Sequence, residues 1–325
     1  MKYDSLLSRS LSSFLTLTVA LTCSFWLVHS MPGNYVEHLL NTTPGGFSLP
    51  AESNMLKRQF DLDRPILVRY GLYITDVFRG DWGTSFAYAK PVTSLIGDRV
   101  LCSLTLLLPA KLFSMVLGVL IGVYSGWHAE RRRDLAILSL MLFINAIPSY
   151  IWALLAVFIL AYHLNIFPLA GYLDVEALEK GIEWGTIAYH GLLPLLTMTV
   201  CGIPGTFYLV RNTMSLVSGE DYITTARATG ISEMSLVMRH ALPNALLPVV
   251  TLIPLQIAHL LMGSVFIESV FSWPGIGLLT FQAIASRDLP VLQGVLLIYT
   301  ALLLGGNLLA DLCYTLIDPR VHSDA

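Results

Sequence analysis

Charge is scarce in this chain. Asp, Glu, Lys and Arg make up only 13% of its 325 residues, against about 25% in a typical soluble domain. With 55% of the residues apolar and a mean hydropathy of +0.67, there is too little polar surface to cover a water-soluble fold. Apolar surface facing lipid needs no such cover. Cysteine is scarce too. Cys23, Cys102, Cys201 and Cys313 stand singly, with no metal or redox spacing, and read as small buried residues. The net charge of -3 comes with no large basic block, so nucleic acid is not expected as a partner. The sequence contains no GxxxxGK[ST] phosphate loop, no HExxH helix, no hydrolase elbow and no paired-carboxylate helix. No catalytic residue and no metal ligand is assigned.

Long apolar runs are what the chain has instead. Six of them, at 11–31, 101–124, 135–160, 187–211, about 246–270 and 289–309, predict an all-α polytopic membrane protein. The first run is long for a signal peptide and lacks a small-x-small cleavage site, so it reads as a transmembrane helix. The third is broken near Pro148. Arg131, Arg132 and Arg133 crowd the short loop 127–134, which the positive-inside rule places in the cytoplasm. Both termini and the loop 212–243 then fall on that side, and 32–98 lies outside. The layout is a first helix with its cytoplasmic start (1–31), an external loop (32–98), a five-helix core (99–316) and a cytoplasmic tail (317–325).

Four details sharpen this layout. Gly118, Gly122 and Gly126 recur every four residues, a spacing that permits close helix–helix approach. Lys111 sits near the middle of the second run, where a charge is costly and must face a cavity, a partner or protein. Outside, residues near 51–60 and 65–78 read as helical, with Ile66, Tyr70, Tyr73, Ile74 and Val77 on one face. That face either lies on the membrane, docks a partner or packs onto its own domain. A second outer loop carries Asp174, Glu176, Glu179 and Glu183.

The most informative stretch is the polar insert from Ser218 to Pro248. It reads as two short helices broken at a glycine. Ser218 with Asp221 suggests a capping box, and Tyr222, Ile223 and Ala226 an apolar stripe. Gly230 stands where a helix end wants a left-handed residue. Ser232 is placed to cap a second helix, whose apolar face is Met234, Val237, Met238 and Ala241. Pro243 then stops or redirects the chain.

The pattern of Thr224, Thr225 and Ala226, then Gly230, then His240, Leu242 and Pro243 resembles the EAA loop of ABC importer permeases. DYITTARATG followed by RHALPNALLPVVT is more narrowly similar to dipeptide and oligopeptide permeases, which include nickel permeases. The phrases at 62–65, 79–85 and 270–277 are also family-like, although the family's usual version has Gly where Ser272 stands. Thr224 replaces a Glu common in the wider superfamily, so no Glu-based contact is carried over. The resemblance implies a type I importer permease subunit that pairs with a second, homologous permease, two ATPase subunits and an external solute-binding protein. ATP and Mg2+ belong to the ATPases, and this chain itself is not an enzyme. It assigns ATPase coupling to Glu220, Asp221, Thr224, Thr225, Ala226, Arg227, Gly230, His240, Leu242 and Pro243. Lys111 and Glu268 are candidates for the translocation path; an ion pair or a snorkelling side chain equally accounts for Lys111. Di- or oligopeptides are the expected solutes, with nickel or metal–chelate complexes as the alternative within the family. A secondary transporter driven by an ion gradient is the competing function, and a scaffold or enzyme working through segment 32–98 a third.

Overall fold

A computed structural model describes residues 2–30, 64–172 and 184–317. The expected helix at 51–60, the first part of the external loop, the acidic residues of 174–183 and the tail with Arg320 lie outside these. The described residues are helical, joined by loops, with one isolated β-bridge between Thr84 and Pro91. They fall into two compact units, residues 1–102 with 275–305 and residues 103–274 with 306–325.

In the first unit, α1 (Lys2–His29) buries Leu21, Phe25 and Val28. Helix α2 (Ile66–Arg79) packs against it. Phe25 lies 5.2 Å and 5.4 Å, ring to ring, from Tyr70 and Tyr73, and Thr22 shares a 2.8 Å hydrogen bond with the Tyr70 hydroxyl. The tyrosine part of the predicted α2 face is therefore covered by its own unit. Gly80 closes α2 in a left-handed conformation (φ 79°). The chain that follows is fastened by Asp288. Its buried carboxylate accepts from Ser85 Oγ at 2.6 Å and from the backbone N–H groups of Phe86 and Ala87. Asp288 sits between α11 (Ile276–Ser286) and α12 (Leu289–Ile317).

The second unit is a helical bundle. Helix α3 (Val92–Trp127) enters it from residue 103 and runs against α6 (Trp184–Ser218). The glycine repeat lies on this contact, as its spacing predicts. A Cβ on Gly118 would stand 2.7 Å from Thr206 Cβ, one on Gly122 2.9 Å from Val210 Cβ, and one on Gly126 2.5 Å from the Arg211 carbonyl oxygen. Real Cβ atoms do not come so close, so only glycine admits this approach. Helix α4 (Arg132–Ala146) ends before Pro148, and α5 (Ser149–Ala156) leaves at 92° to it. The residue before a proline is biased away from helix, which accounts for the break. Helix α5 continues as a π-helical turn, Val157–His163.

Among the described residues three helices are long and apolar enough to cross a membrane: Val92–Trp127, Trp184–Ser218 and Leu289–Ala310. The bent α4–α5 pair is a broken span or a re-entrant loop, and α1 contributes a shorter apolar segment, Leu15–His29. The continuous fifth run expected at 246–270 is corrected. Helix α9 (Leu242–Leu260) stops, and a separate short helix, α10 (Val265–Val270), follows. Ser264 is fully buried at the break, its Oγ donating to the Leu261 carbonyl. After α10, Ser272 is left-handed (φ 53°), a conformation that costs a non-glycine residue about 1–2 kcal/mol. That is the physical reason glycine suits this position. The cysteine expectation is also corrected. Cys23 is exposed and Cys102 and Cys201 half-buried, because a face of a membrane helix that meets lipid or an open cavity is not covered by protein.

Candidate functional site

The insert 218–243 folds onto the end of the second unit. Helix α7 (Asp221–Ala228) has one buried side chain, Ile223. Ile223 joins Met214, Ala241 and Ala245 in an apolar cluster, with Val123, Trp127, Val217 and Val237 around it. Tyr222 and Asp221 are exposed beside it, and Ala226 is half-buried, so the expected three-residue stripe narrows to a single anchor. The capping-box expectation is likewise corrected. Glu220 is the N-cap, without a side-chain cap bond. Ser218 ends α6 and bonds back to the Ser215 carbonyl. Gly230 follows the helix at φ 84° and donates its N–H to the Arg227 carbonyl, the left-handed ending its position predicts.

The second helix departs further from expectation. Helix α8 (Glu233–Ser235) is three residues long, starts at Ser232 without a side-chain cap bond, and passes into a π-helical turn, Leu236–Ala241. In that geometry residues five apart align, so Leu236 and Ala241 are the buried pair. Met234 and Met238, placed on the apolar face by a 3.6-residue period, are 72% and 52% exposed. The cause is adjacent. Pro243 lacks an N–H for the carbonyl four residues back, and a local π adjustment accommodates such a residue. Pro243 does not stop the chain; it stands in the first turn of α9, where its missing donor is harmless.

Two polar ties hold α7 in place. Arg227 Nε donates to Glu233 Oε1 at 2.8 Å, Trp127 Nε1 donates to Glu233 Oε2 at 3.2 Å, and the guanidinium lies 5.6 Å from the centre of the Trp127 ring. Arg227, then Trp127 and His128, hold the Glu233 carboxyl below the usual carboxylate range. At the other end, Asn244 Nδ2 donates to the Tyr222 hydroxyl at 2.8 Å and to the His240 carbonyl at 3.3 Å. On α4, Asp134 is fully buried. It accepts Arg211 Nε at 2.8 Å and the terminal Arg211 nitrogen at 2.6 Å, together with Ser125 Oγ and the Glu130 N–H. This bidentate pair ties α4 to α6 one turn before Met214.

Of the residues assigned to coupling, Glu220, Asp221, Thr224, Thr225, Arg227, Gly230 and Pro243 are exposed, and Ala226, His240 and Leu242 are half-buried. The structure gathers all ten on one end of the unit. It adds Ile223 as the anchor and Trp127, Glu233, Asn244, Asp134 and Arg211 as supports. Trp127 and Glu233 are 106 positions apart, and nothing local in sequence links them. Lys111 and Glu268 are not brought together. Lys111 lines a cavity of about 480 Å³, while Glu268 is fully buried and accepts Ser103 Oγ at 2.7 Å. Among the described residues no group of three or more His, Cys, Asp or Glu side chains is placed to hold a metal ion.

Residues 118–323 match the family described as binding-protein-dependent transport system inner membrane component. The dipeptide transport system permease protein DppB of Lactococcus lactis subsp. cremoris (strain MG1363) is 32% identical over 313 residues, 95% of each chain. The protein of the same name from Escherichia coli (strain K12) is 32% identical over 317 residues, 92% of this chain and 93% of its own. A protein of Brucella suis biovar 1 (strain 1330), provisionally named a peptide transport system permease, is 33% identical over 319 residues, 98% of this chain and 99% of its own. With a matched segment that contains the α7–Pro243 insert and begins at Gly118, the first glycine of the α3–α6 contact, this membrane protein belongs to the binding-protein-dependent transport system inner membrane component family.

Proposed function

We propose that this chain is the transmembrane permease subunit of an ATP-driven importer of di- or oligopeptides. It works with a second permease, two ATPase subunits and an external solute-binding protein. The observation that carries this is the construction of α7: an eight-residue helix with a polar, exposed outer face and one apolar anchor into the bundle. A helix this short is marginal alone in water, and one so exposed has surface left for a partner. The peptide class follows the names of the relatives.

In this mechanism the ATPases seat the outer face of α7. ATP hydrolysis there, with Mg2+, supplies the free energy. Closure of the ATPases moves α7 as a body. Ile223 passes the displacement to Met214 at the end of α6 and to Ala241 and Ala245 at the start of α9. The Arg227–Glu233–Trp127 tie keeps α7 from swinging free of α3. The α3–α6 pair, locked by its glycines, moves with it, together with α4, which Asp134–Arg211 ties to α6, and the two sides of the bundle are exposed in turn. Six spans with both termini in the cytoplasm put α7 on the ATPase side. The sequence carries no phosphate loop of its own, so the nucleotide site lies in trans.

The test is co-purification from the native membrane in mild detergent, followed by reconstitution. A second permease, phosphate-loop ATPases and a peptide-loaded binding protein are expected, together with peptide uptake that requires ATP. Uptake that stops with an uncoupler and ignores ATP would transfer the chain to the gradient-driven carriers.

A further inference from the structure

The Lys111 cavity lies wholly within the second unit. Lys111 and Ser114 from α3, Ser149 from α5, Cys201 and Gly202 from α6, Gln256 from α9 and Gly263 just after it supply its polar and small lining, and the rest is apolar. Among the described residues no acidic side chain pairs with Lys111. The buried carboxylates of this unit are engaged elsewhere, Asp134 by Arg211 and Glu268 by Ser103. Among the described residues Gln256 Oε1, which is buried, has no hydrogen-bond partner. Close packing explains why the cavity persists at this level: a Cβ on Gly202 would lie 2.9 Å from Ser114 Cβ, so α3 and α6 already touch here and the space opens toward α9.

An ammonium and an unsatisfied amide oxygen facing one space are a donor and an acceptor waiting for the same guest. A lone charge in a mostly apolar wall is costly inside a membrane, and an unpaired buried acceptor costs about 1–3 kcal/mol. A fully ionised inorganic anion such as sulfate, which has no hydrogen to donate, would satisfy Lys111 and leave Gln256 unpaired. The C-terminal end of a peptide satisfies both, its carboxylate at Lys111 and a backbone N–H at Gln256. The volume of about 480 Å³ is within the range of small-molecule sites. We propose that this cavity is a transit subsite that receives the free C-terminal carboxylate of the peptide being carried. The proposal rests on the peptide-importer function above. Lys111 is a specificity-determining residue in it, and Gln256 a positioning residue.

Cys201 lines the same cavity and serves as the reporter. The complete complex is prepared with Cys23→Ser, Cys102→Ser and Cys313→Ser, and N-ethylmaleimide labelling of Cys201 is followed by mass spectrometry of this chain. The probes are a mixture of di- and tripeptides with free C-termini, the same mixture as C-terminal amides, and sodium sulfate. The free-acid peptides are expected to protect Cys201, and the amides and sulfate to protect at least about tenfold more weakly, the loss expected for one charge-assisted hydrogen bond. Lys111→Met removes the preference for the free acid, and Lys111→Arg, which keeps the charge, retains protection. Equal protection by acid and amide, unchanged protection in Lys111→Met, or no protection in a complex that transports these peptides each overturns the subsite while leaving the importer function standing. Absence of peptide transport by the complete, ATP-supplied complex overturns the importer function and the subsite with it.

Discussion

Ile223→Ala isolates the anchor of α7. Ile223 is the one buried side chain of α7 and is fully enclosed. Removing its outer carbons deletes buried apolar surface and leaves a hole. Such truncations cost about 2–5 kcal/mol in well-packed cores. This cluster sits at the end of the bundle among small residues, Ala241 and Ala245, with Met214 as its largest member, so the lower figure applies. About 2 kcal/mol corresponds to roughly a 30-fold shift toward the undocked helix. Because eight isolated residues do not hold a helix in water, undocking and unwinding are the same event. Hydrogen exchange of the α7 amides therefore reads the shift directly. In Ile223→Ala those amides should exchange about 30-fold faster, while amides in the middle of α6 should not change. Ile223→Val, with one carbon removed, should fall between the two. Peptide uptake per ATP hydrolysed should decline in the same order, with membrane insertion intact. Exchange within about twofold of wild type in Ile223→Ala would refute the anchor and leave the polar ties as the structural link.

Three further perturbations follow from the same geometry. Gly126→Ala should lower the detergent melting temperature and yield, at a cost of about 1–3 kcal/mol, because its Cβ meets the backbone carbonyl of Arg211, which cannot rotate away; Gly205→Ala, with nothing within 4 Å of its Cβ, is the neutral control, and equal melting of the two would remove the close-packing argument. Gly230→Val should cost about 1–2 kcal/mol from backbone strain alone, since φ is 84° and no neighbour lies within 4 Å; uptake should uncouple from hydrolysis, Gly230→Asn should be milder, and normal transport by the valine variant would count against the role of this turn. The Glu233 carboxyl is held below its ordinary range by Arg227, so its contribution is complete above the ordinary carboxylate pKa and fades only as pH falls through the lowered value. Exchange in α7 should thus be flat, after correction for intrinsic rates, from about pH 6 to pH 8 and rise in acid; Glu233→Gln should abolish that acid step, and a step near neutrality would contradict the assignment.

The features legible in sequence are those whose physics is local. The run lengths required by a bilayer mark α3, α6 and α12, because hydrophobic length is a property of consecutive residues. The fourfold spacing of Gly118, Gly122 and Gly126 marks a contact face, because one helix repeats nearly every four residues. Gly230 and the loop around it announce a helix end and, through the DYITTARATG and RHALPNALLP phrases, a family. Local rules also erred in physically consistent places. The period of 3.6 misplaced Met234 and Met238 because Pro243 is accommodated by a π turn, which shifts every side chain before it. The fifth run looks continuous in hydropathy yet breaks before Ser264, since hydropathy does not register where a helix turns.

Only the tertiary structure decided which side chains meet. Trp127, Arg227 and Glu233 come from three elements, and Asp134 reads as the end of a basic loop until Arg211, 77 positions away, is placed beside it. The same holds for Asp288, which fastens the turn after α2 across more than 200 positions, and for Lys111 and Gln256, whose shared cavity depends on how α3, α6 and α9 are rotated. A sequence fixes the period and length of each helix; the rotation of one helix against another is set by packing over long separations, and that rotation assigns each polar side chain its partner.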